Sequence, residues 1–124
     1  MHQRQNLEVA DRLFRAIEAG DLAAIGSIYT PSTVVWHNND QKEQTVEENL
    51  KVLGWVIANL KNLKYTEVKR QATATGFVQQ HVLRGRFAKR DVAIPACIVA
   101  TVEGNHITRI DEYLDSAQTA VFRA

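Results

Sequence analysis

The sequence predicts an α+β fold in which helices come first along the chain and a meander of long strands follows. In the first half, apolar residues recur at three- and four-residue spacing, which is typical of amphipathic helices. After Asn62 the pattern changes to β-branched residues alternating with polar ones, interrupted by Gly76 and by the turn signal Gly104-Asn105. Helices and antiparallel strands that are segregated along a chain indicate the α+β class. A length of 124 residues predicts a single domain spanning 1–124.

Three helices are predicted before the long strands. The first covers about residues 6–19 and ends at Gly20, a natural C-cap residue. The second covers about residues 22–29, with Asp21 as its N-cap and Pro31 after its end. The third runs to about residue 61 and opens with Thr45 and Glu48, which form a capping-box signature.

The predicted strands are one short strand and four long ones. The short strand covers residues 33–38 and precedes a polar loop at 39–42. The long strands cover about residues 63–75, 77–87, 92–103 and 106–114, and residues 116–122 form a terminal helical turn. A curved sheet of such strands wrapped over helices leaves a cavity between the two layers.

Composition and charge exclude several classes of function. The chain has 15 basic and 14 acidic residues, a formal net charge of +1, so it lacks the broad positive footprint of a nucleic-acid-binding protein. No stretch approaches the ~20 apolar residues of a membrane span, and residues 1–6 have no apolar signal core. The single cysteine, Cys97, lies in an apolar run and is expected to be a buried, inert thiol. We therefore expect a cytoplasmic protein that binds neither nucleic acid nor membrane.

Polar residues interrupt one apolar face of the predicted long strands. Alternate side chains of a strand point to the same face, and the proposed interior face contains Phe77, Gln79, His81, Leu83, Phe87, Ile94, Ala96, Ile98, Ile110, Glu112 and Leu114. Polar groups in an apolar interior are costly unless they are paired or functional. Gln79, His81 and Glu112 therefore indicate a small-molecule site, although the same three residues could instead satisfy one another as a buried polar network.

The short strand offers two further site residues. Trp36 and Asn38 share one face, so Trp36 is expected to line the pocket wall and Asn38 to hold a water or a substrate carbonyl. His37 has the opposite parity and is expected to point away from the pocket as a structural residue. Asp40 is interpreted as a turn residue, and Tyr29 as a packing residue with one satisfied hydrogen bond.

The element order, together with residues 34–38, 92–104 and 107–115, resembles the NTF2-like superfamily. This superfamily has a cone-shaped α+β barrel in which three N-terminal helices pack on a curved, mostly antiparallel sheet. The chain is most similar to the SnoaL-like and limonene-1,2-epoxide-hydrolase-like branch, over nearly its whole length. The resemblance implies an internal cavity for a hydrophobic small molecule and a homodimer formed through the outer face of the sheet.

The resemblance also relates individual residues to the epoxide-hydrolase site. Trp36 and Asn38 match a Tyr and an Asn that help to hold the attacking water in that branch. Gln79 and His81 match an Arg and an Asp, and Glu112 matches the second catalytic Asp. Because only the amide is retained, epoxide opening is not the expected reaction.

The leading hypothesis is a cofactor-independent enzyme without a metal, acting on a hydrophobic small molecule by isomerisation, cyclisation or water addition. His81 would be the general base or acid, Glu112 its partner and Asn38 a polar positioning group. The substrate would be bound by Trp36, Gln79, Leu83, Ile94, Ala96, Ile110 and Leu114. The alternative is a non-catalytic ligand-binding domain or a dimeric scaffold with the same cavity.

Overall fold

The computed structural model describes residues 3–123, without the side chain of Arg123, and it confirms the α+β class. The helices are α1 (Gln3–Ala19), α2 (Leu22–Ile28) and α3 (Val46–Asn59). The strands are β1 (Tyr29–His37), β2 (Lys42–Gln44), β3 (Lys61–Ala72), β4 (Gly76–Phe87), β5 (Arg90–Glu103) and β6 (His106–Leu114). A 3₁₀ helix, Gln118–Arg123, follows the last strand.

The strands form one curved, open sheet in the order β2-β1-β6-β5-β4-β3. The chain meanders antiparallel from β3 to β6, whereas β1 pairs parallel to β6 and so joins the sheet beside the last strand. This arrangement places β1 beside β6, which is more than 70 residues further along the chain. The three helices pack on the concave side, and the core lies between the helices and the sheet.

Helix α1 forms the centre of the helical layer. Its stripe of Val9, Leu13, Phe14 and Ile17 is almost fully buried, as the spacing of these residues predicts. On the sheet side the core includes Phe77 of β4, which is 0% exposed. Phe14 and Phe77 meet edge to face, with ring centroids 6.3 Å apart, which joins the two layers.

Both predicted helix N-caps, Asp21 and Thr45, are confirmed. The Asp21 carboxylate accepts a hydrogen bond from the backbone N–H of Ala24 at 3.0 Å. The Thr45 hydroxyl accepts from the Glu48 N–H at 3.2 Å, and the Glu48 carboxylate accepts in return from the Thr45 N–H at 2.9 Å. These bonds satisfy amide groups that the first helical turn leaves without partners.

The structure corrects the sequence prediction around the first strand. Strand β1 begins at Tyr29 rather than at Thr33, and Pro31 lies inside it instead of after a helix. The pairing of β1 with β6 is irregular between Tyr29 and Val34, which is the kind of place where a strand tolerates a proline without an N–H. The short edge strand β2, which was not predicted, begins at Lys42, the last residue of the predicted polar loop, and pairs back onto β1.

Candidate active site

A cavity of about 250 Å³ lies between the helices and the concave face of the sheet. Its walls are mainly apolar, with Leu13, Phe14, Ile17, Val35, Leu53 and Ile98 among them. The cavity reaches the surface where it is lined by three exposed residues, Asn39, Asp40 and Val52. An apolar cavity of ~150 Å³ can hold benzene, so this one has room for a small molecule of one or two rings.

His37 and Glu112 form an ion pair in the wall of this cavity. They are cross-strand neighbours on the parallel strands β1 and β6, and Nε2 of His37 lies 2.9 Å from Oε1 of Glu112. Burial lowers the pKa of His37, but the hydrogen bond and the negative charge of Glu112, with a further contribution from Asp40, outweigh it and leave the pKa raised. The pair is therefore arranged to hold a proton near neutral pH.

His81 lies in the same cavity with a different set of partners. Its Nδ1 is 2.9 Å from Nε2 of Gln79, and Oε1 of Gln79 accepts a hydrogen bond of 2.6 Å from Nε of Arg70. Its ring packs edge to face on Tyr65 at 4.6 Å and on Phe14 at 5.4 Å. Burial lowers the pKa of His81, the positive charge of Arg70 lowers it further, and Glu112 opposes both effects.

A third set of hydrogen-bonded polar residues joins helix α3 to the sheet at the cavity wall. The Tyr29 hydroxyl donates to Oδ1 of Asn49 at 2.8 Å, and Nδ2 of Asn49 donates to Oε1 of Gln44 at 3.1 Å. Burial and the nearby charge of Glu112 raise the pKa of Tyr29, so its phenol stays protonated and remains a donor. All three residues line the cavity.

Most of the predicted pocket residues on β4, β5 and β6 lie where their strand parity places them. The cavity is lined by Leu83, Ile94, Ala96, Ile110 and Leu114 together with His81 and Glu112. Glu112 pairs with His37, however, and the Nδ1 atom of His81 faces Gln79, so the expected direct partnership of His81 and Glu112 is replaced by two separate pairs. The catalytic roles of both residues stay predictions.

Three predicted site residues lie outside the cavity wall. Trp36 points to the other face of the sheet, where its ring packs on Tyr113 at 5.3 Å. Asn38 joins β1 to β6: its Oδ1 accepts from the Leu114 N–H at 2.8 Å, and its own N–H donates to the Glu112 carbonyl at 3.0 Å. Gln79 is fully buried beneath the cavity surface, in contact with His81 rather than with the cavity.

The expectation that His37 points away from the pocket was wrong. The inward residues of β1 are Thr33, Val35 and His37, so Trp36 and Asn38 do not face the cavity as the resemblance to the epoxide-hydrolase site implies. Side chains of a strand alternate between faces, and a one-residue error moves all of them to the wrong face. Both faces of this strand carry an apolar and a polar residue, so the pattern alone does not choose between them.

Opposite shifts in the pKa values of the two histidines predict opposite contributions to stability. His37, with a raised pKa, stabilises the fold fully below the ordinary imidazole pKa of ~6.5, and this contribution is lost as the pH rises through its raised pKa. His81, with a lowered pKa, contributes above ~6.5, and this stability is lost as the pH falls towards its lowered pKa.

NMR titration of the two rings measures these shifts directly, and urea unfolding of His37→Gln and His81→Gln between pH 5 and 8 measures the stability. The loss of unfolding free energy caused by His37→Gln should become smaller as the pH rises. The loss caused by His81→Gln should become smaller as the pH falls. Identical pH dependences in the two variants would contradict the assignment.

Neither a metal cluster nor a membrane helix is found in the described part of the chain. Among residues 3–123, no three His, Cys, Asp or Glu side chains are grouped closely enough to hold a metal ion. No helix of residues 3–123 is long and apolar enough to cross a membrane.

The fold and the cavity define the class of the protein: a small α+β domain of the NTF2-like kind, with an internal cavity between its helices and a curved sheet. The family of SnoaL-like domains matches residues 10–110. The chain therefore belongs to the SnoaL-like domain family. No curated protein sequence matches it at a significant level.

Solved structures with this fold share little sequence with the chain. A proposed polyketide cyclase from Xanthomonas campestris is 12% identical, with a TM-score of 0.85 and 98% coverage of both chains. The BvnE pinacolase from Penicillium brevicompactum is 14% identical, with a TM-score of 0.83 and coverage of 97% of this chain and 92% of the other. A protein of ketosteroid isomerase-like fold from Catenulispora acidiphila, in complex with trimethylamine, is 16% identical, with a TM-score of 0.75 over 86% and 84% of the two chains. At such identities the similarity shows a common fold.

Proposed function

We propose that the protein is a cofactor-independent enzyme that moves a proton next to the carbonyl group of a small hydrophobic molecule. The observation that carries the proposal is the His37–Glu112 ion pair in the wall of a mainly apolar cavity, beside His81. A polar pair of this kind is costly to bury and suits proton transfer at near-neutral pH. Solved structures with the same fold include a proposed polyketide cyclase and a proposed isomerase, and both of these reaction classes can proceed by proton transfer next to a carbonyl.

Within the His37–Glu112 pair, the Glu112 carboxylate would act as the proton acceptor, and the protonated His37 ring would hold it in place. When the carboxylate takes the proton from the carbon beside the carbonyl, the electron pair of that C–H bond moves towards the carbonyl oxygen and gives an enolate. A buried donor in the cavity would stabilise the charge on that oxygen, and His81 would supply it. Return of the proton to another carbon completes an isomerisation. In a cyclisation the enolate carbon instead attacks a second carbonyl carbon, and the oxygen of that carbonyl takes the proton back from Glu112 to give a hydroxyl group.

The cavity also limits the substrate. Its volume of about 250 Å³ is at the lower end of the range of ~300–1,000 Å³ that is usual for ligand pockets, so we propose a substrate of one or two rings. The histidine rings at the cavity wall can donate hydrogen bonds and so favour a substrate with at least one hydrogen-bond acceptor. Water addition of the epoxide-hydrolase type receives less support, because the Asn38 side chain bonds the backbone of β6 and does not line the cavity.

Exchange of carbon-bound hydrogen for deuterium tests the proposal before any natural substrate is known. One- and two-ring ketones are incubated with the protein in D₂O, and the loss of the α-proton signal is followed by NMR. We expect exchange in proportion to protein concentration, and inhibition by a hydrocarbon of similar size that occupies the cavity. Ketones that bind without any exchange above the buffer rate would overturn the proposal and favour the non-catalytic ligand-binding domain.

The expected homodimer and the cytoplasmic location stay predictions. Exposed apolar residues on the outer face of the sheet, Val99 and Tyr113 among them, are consistent with a subunit contact there.

A further inference from the structure

A chain of buried hydrogen bonds leads from Arg70 through Gln79 to His81. Arg70 lies on β3 directly opposite Gln79 of β4, and His81 follows two residues later on the same face of β4. The two hydrogen bonds measure 2.6 Å and 2.9 Å. Gln79 is 0% exposed and His81 is 4% exposed, so solvent competes little with either bond.

The chemistry of the three side chains allows only one donor-to-acceptor direction for these two hydrogen bonds. A guanidinium group has donors and no acceptor, so the Gln79 amide must turn its oxygen towards Arg70. The NH₂ group of the same amide then faces Nδ1 of His81 and donates to it. A protonated Nδ1 would place two donors against each other at 2.9 Å, and reversal of the amide would only move the same conflict to Arg70.

Arg70 is itself held in place from the helical layer. Its guanidinium carbon lies 5.7 Å from the centre of the Phe14 ring, and its Nη1 is 3.7 Å from Oδ1 of Asp11 on α1. Phe14 also packs on the His81 ring, so one aromatic side chain contacts both ends of the hydrogen-bonded chain. The orientation of Gln79 is therefore determined by two elements other than its own strand.

We propose that Arg70 and Gln79 are positioning residues that hold His81 as the neutral tautomer with its proton on Nε2, so that His81 serves the cavity as a hydrogen-bond donor and not as its base. The catalytic meaning of this assignment rests on the proposed function, in which the His37–Glu112 pair takes the proton. The tautomer itself is a property of the free protein. Its consequence for the substrate is a requirement for an acceptor atom, such as a carbonyl oxygen, beside His81.

The charged and titratable groups around His81 act in different directions. Arg70 on β3 opposes protonation of the ring, whereas Glu112 on β6 favours it. Glu112 is already paired with His37 of β1, and Asp11 of α1 partly balances Arg70. Tyr65 of β3 contacts the ring, and burial raises the pKa of its phenol, so it adds no charge.

Nitrogen-15 NMR of the two ring nitrogens of His81 in the free protein tests the proposal. In the wild type we expect a protonated Nε2 and an unprotonated Nδ1 at neutral pH. Gln79→Glu supplies a carboxylate that accepts from Nδ1–H, so it should raise the pKa of His81 by at least one unit. Gln80→Glu is the matched control, because the neighbouring residue is exposed on the other face of the sheet, and it should leave the His81 titration nearly unchanged.

A wild-type His81 with its proton on Nδ1, or equal titrations in Gln79→Glu and Gln80→Glu, would overturn the proposal. If Gln79→Glu fails to fold, Arg70→Met provides the second measurement. This variant frees the Gln79 amide to rotate and should give a mixture of tautomers, and an unchanged Nε2–H form would show that Arg70 does not set the orientation. These readouts need no substrate, so a failure of the deuterium-exchange experiment leaves them interpretable.

Discussion

Replacement of Glu112 by Gln is expected to reduce catalysed α-proton exchange by about 10²–10⁴-fold, the usual contribution of general acid–base catalysis. Gln has nearly the same shape and keeps an oxygen that can accept from Nε2 of His37, so the pair retains its geometry. The amide cannot take up a proton, and without the negative charge the pKa of His37 falls. Exchange rates for the best ketone of the panel, measured on both proteins by NMR, test this expectation.

Glu103→Gln is the matched control for this experiment. Glu103 is exposed at the end of β5 and lies outside the cavity, yet its substitution removes the same charge. Equal exchange rates in Glu112→Gln and Glu103→Gln would show that the ion pair does not take part in proton transfer. A lower His37 pKa in Glu112→Gln alone would show that the pair exists even if the reaction is different.

Phe77→Ala is expected to destabilise the fold by about 3–5 kcal/mol, the usual cost of removing a buried Phe side chain. Phe77 is 0% exposed, and its edge contact with Phe14 links β4 to α1. The packed surroundings leave a cavity after truncation, which adds to the lost transfer free energy. A domain of this size has ~5–15 kcal/mol of stability in total, so urea unfolding should show a large shift in the midpoint.

Phe87→Ala makes the same chemical change on the same strand at a less buried place. Phe87 is half-buried and packs on Trp55 and Phe122 near the end of the chain. The loss of stability should therefore be clearly smaller than for Phe77→Ala. A larger loss for Phe87→Ala would mean that the core is not centred between α1 and β4.

Much of the fold was predictable because its signals are local. The caps at Asp21 and Thr45 depend on residues within three positions of each other, and both are present in the structure. The inward faces of β4, β5 and β6 follow from the alternation of side chains along long strands. Once one residue of a strand, such as His81, is identified as buried, its alternate neighbours are expected to face inward too. The short strand β1 was less predictable, since the irregular pairing near Pro31 and a second edge strand depend on distant partners.

The cavity wall was predictable only in part. The inward positions of His81 and Glu112 were predictable because a polar residue among apolar neighbours of the same parity is visible in a sequence. Their actual partners, Gln79 with Arg70 and His37 respectively, required the alignment of separate strands. Within the described residues every buried polar side-chain atom has a hydrogen-bond partner, so the indication of a ligand comes from the cavity and not from an unsatisfied polar group.

The order of the elements, the α+β class and the faces of the regular strands follow from residue patterns alone, because they depend on contacts and spacings close along the chain. The choice of which face of β1 is inward depends instead on long-range contacts. That choice depends on the parallel pairing of β1 with β6, which places His37 opposite Glu112. This pairing joins residues that are far apart along the chain. It is selected by the packing of the whole sheet against the helices, not by local preference.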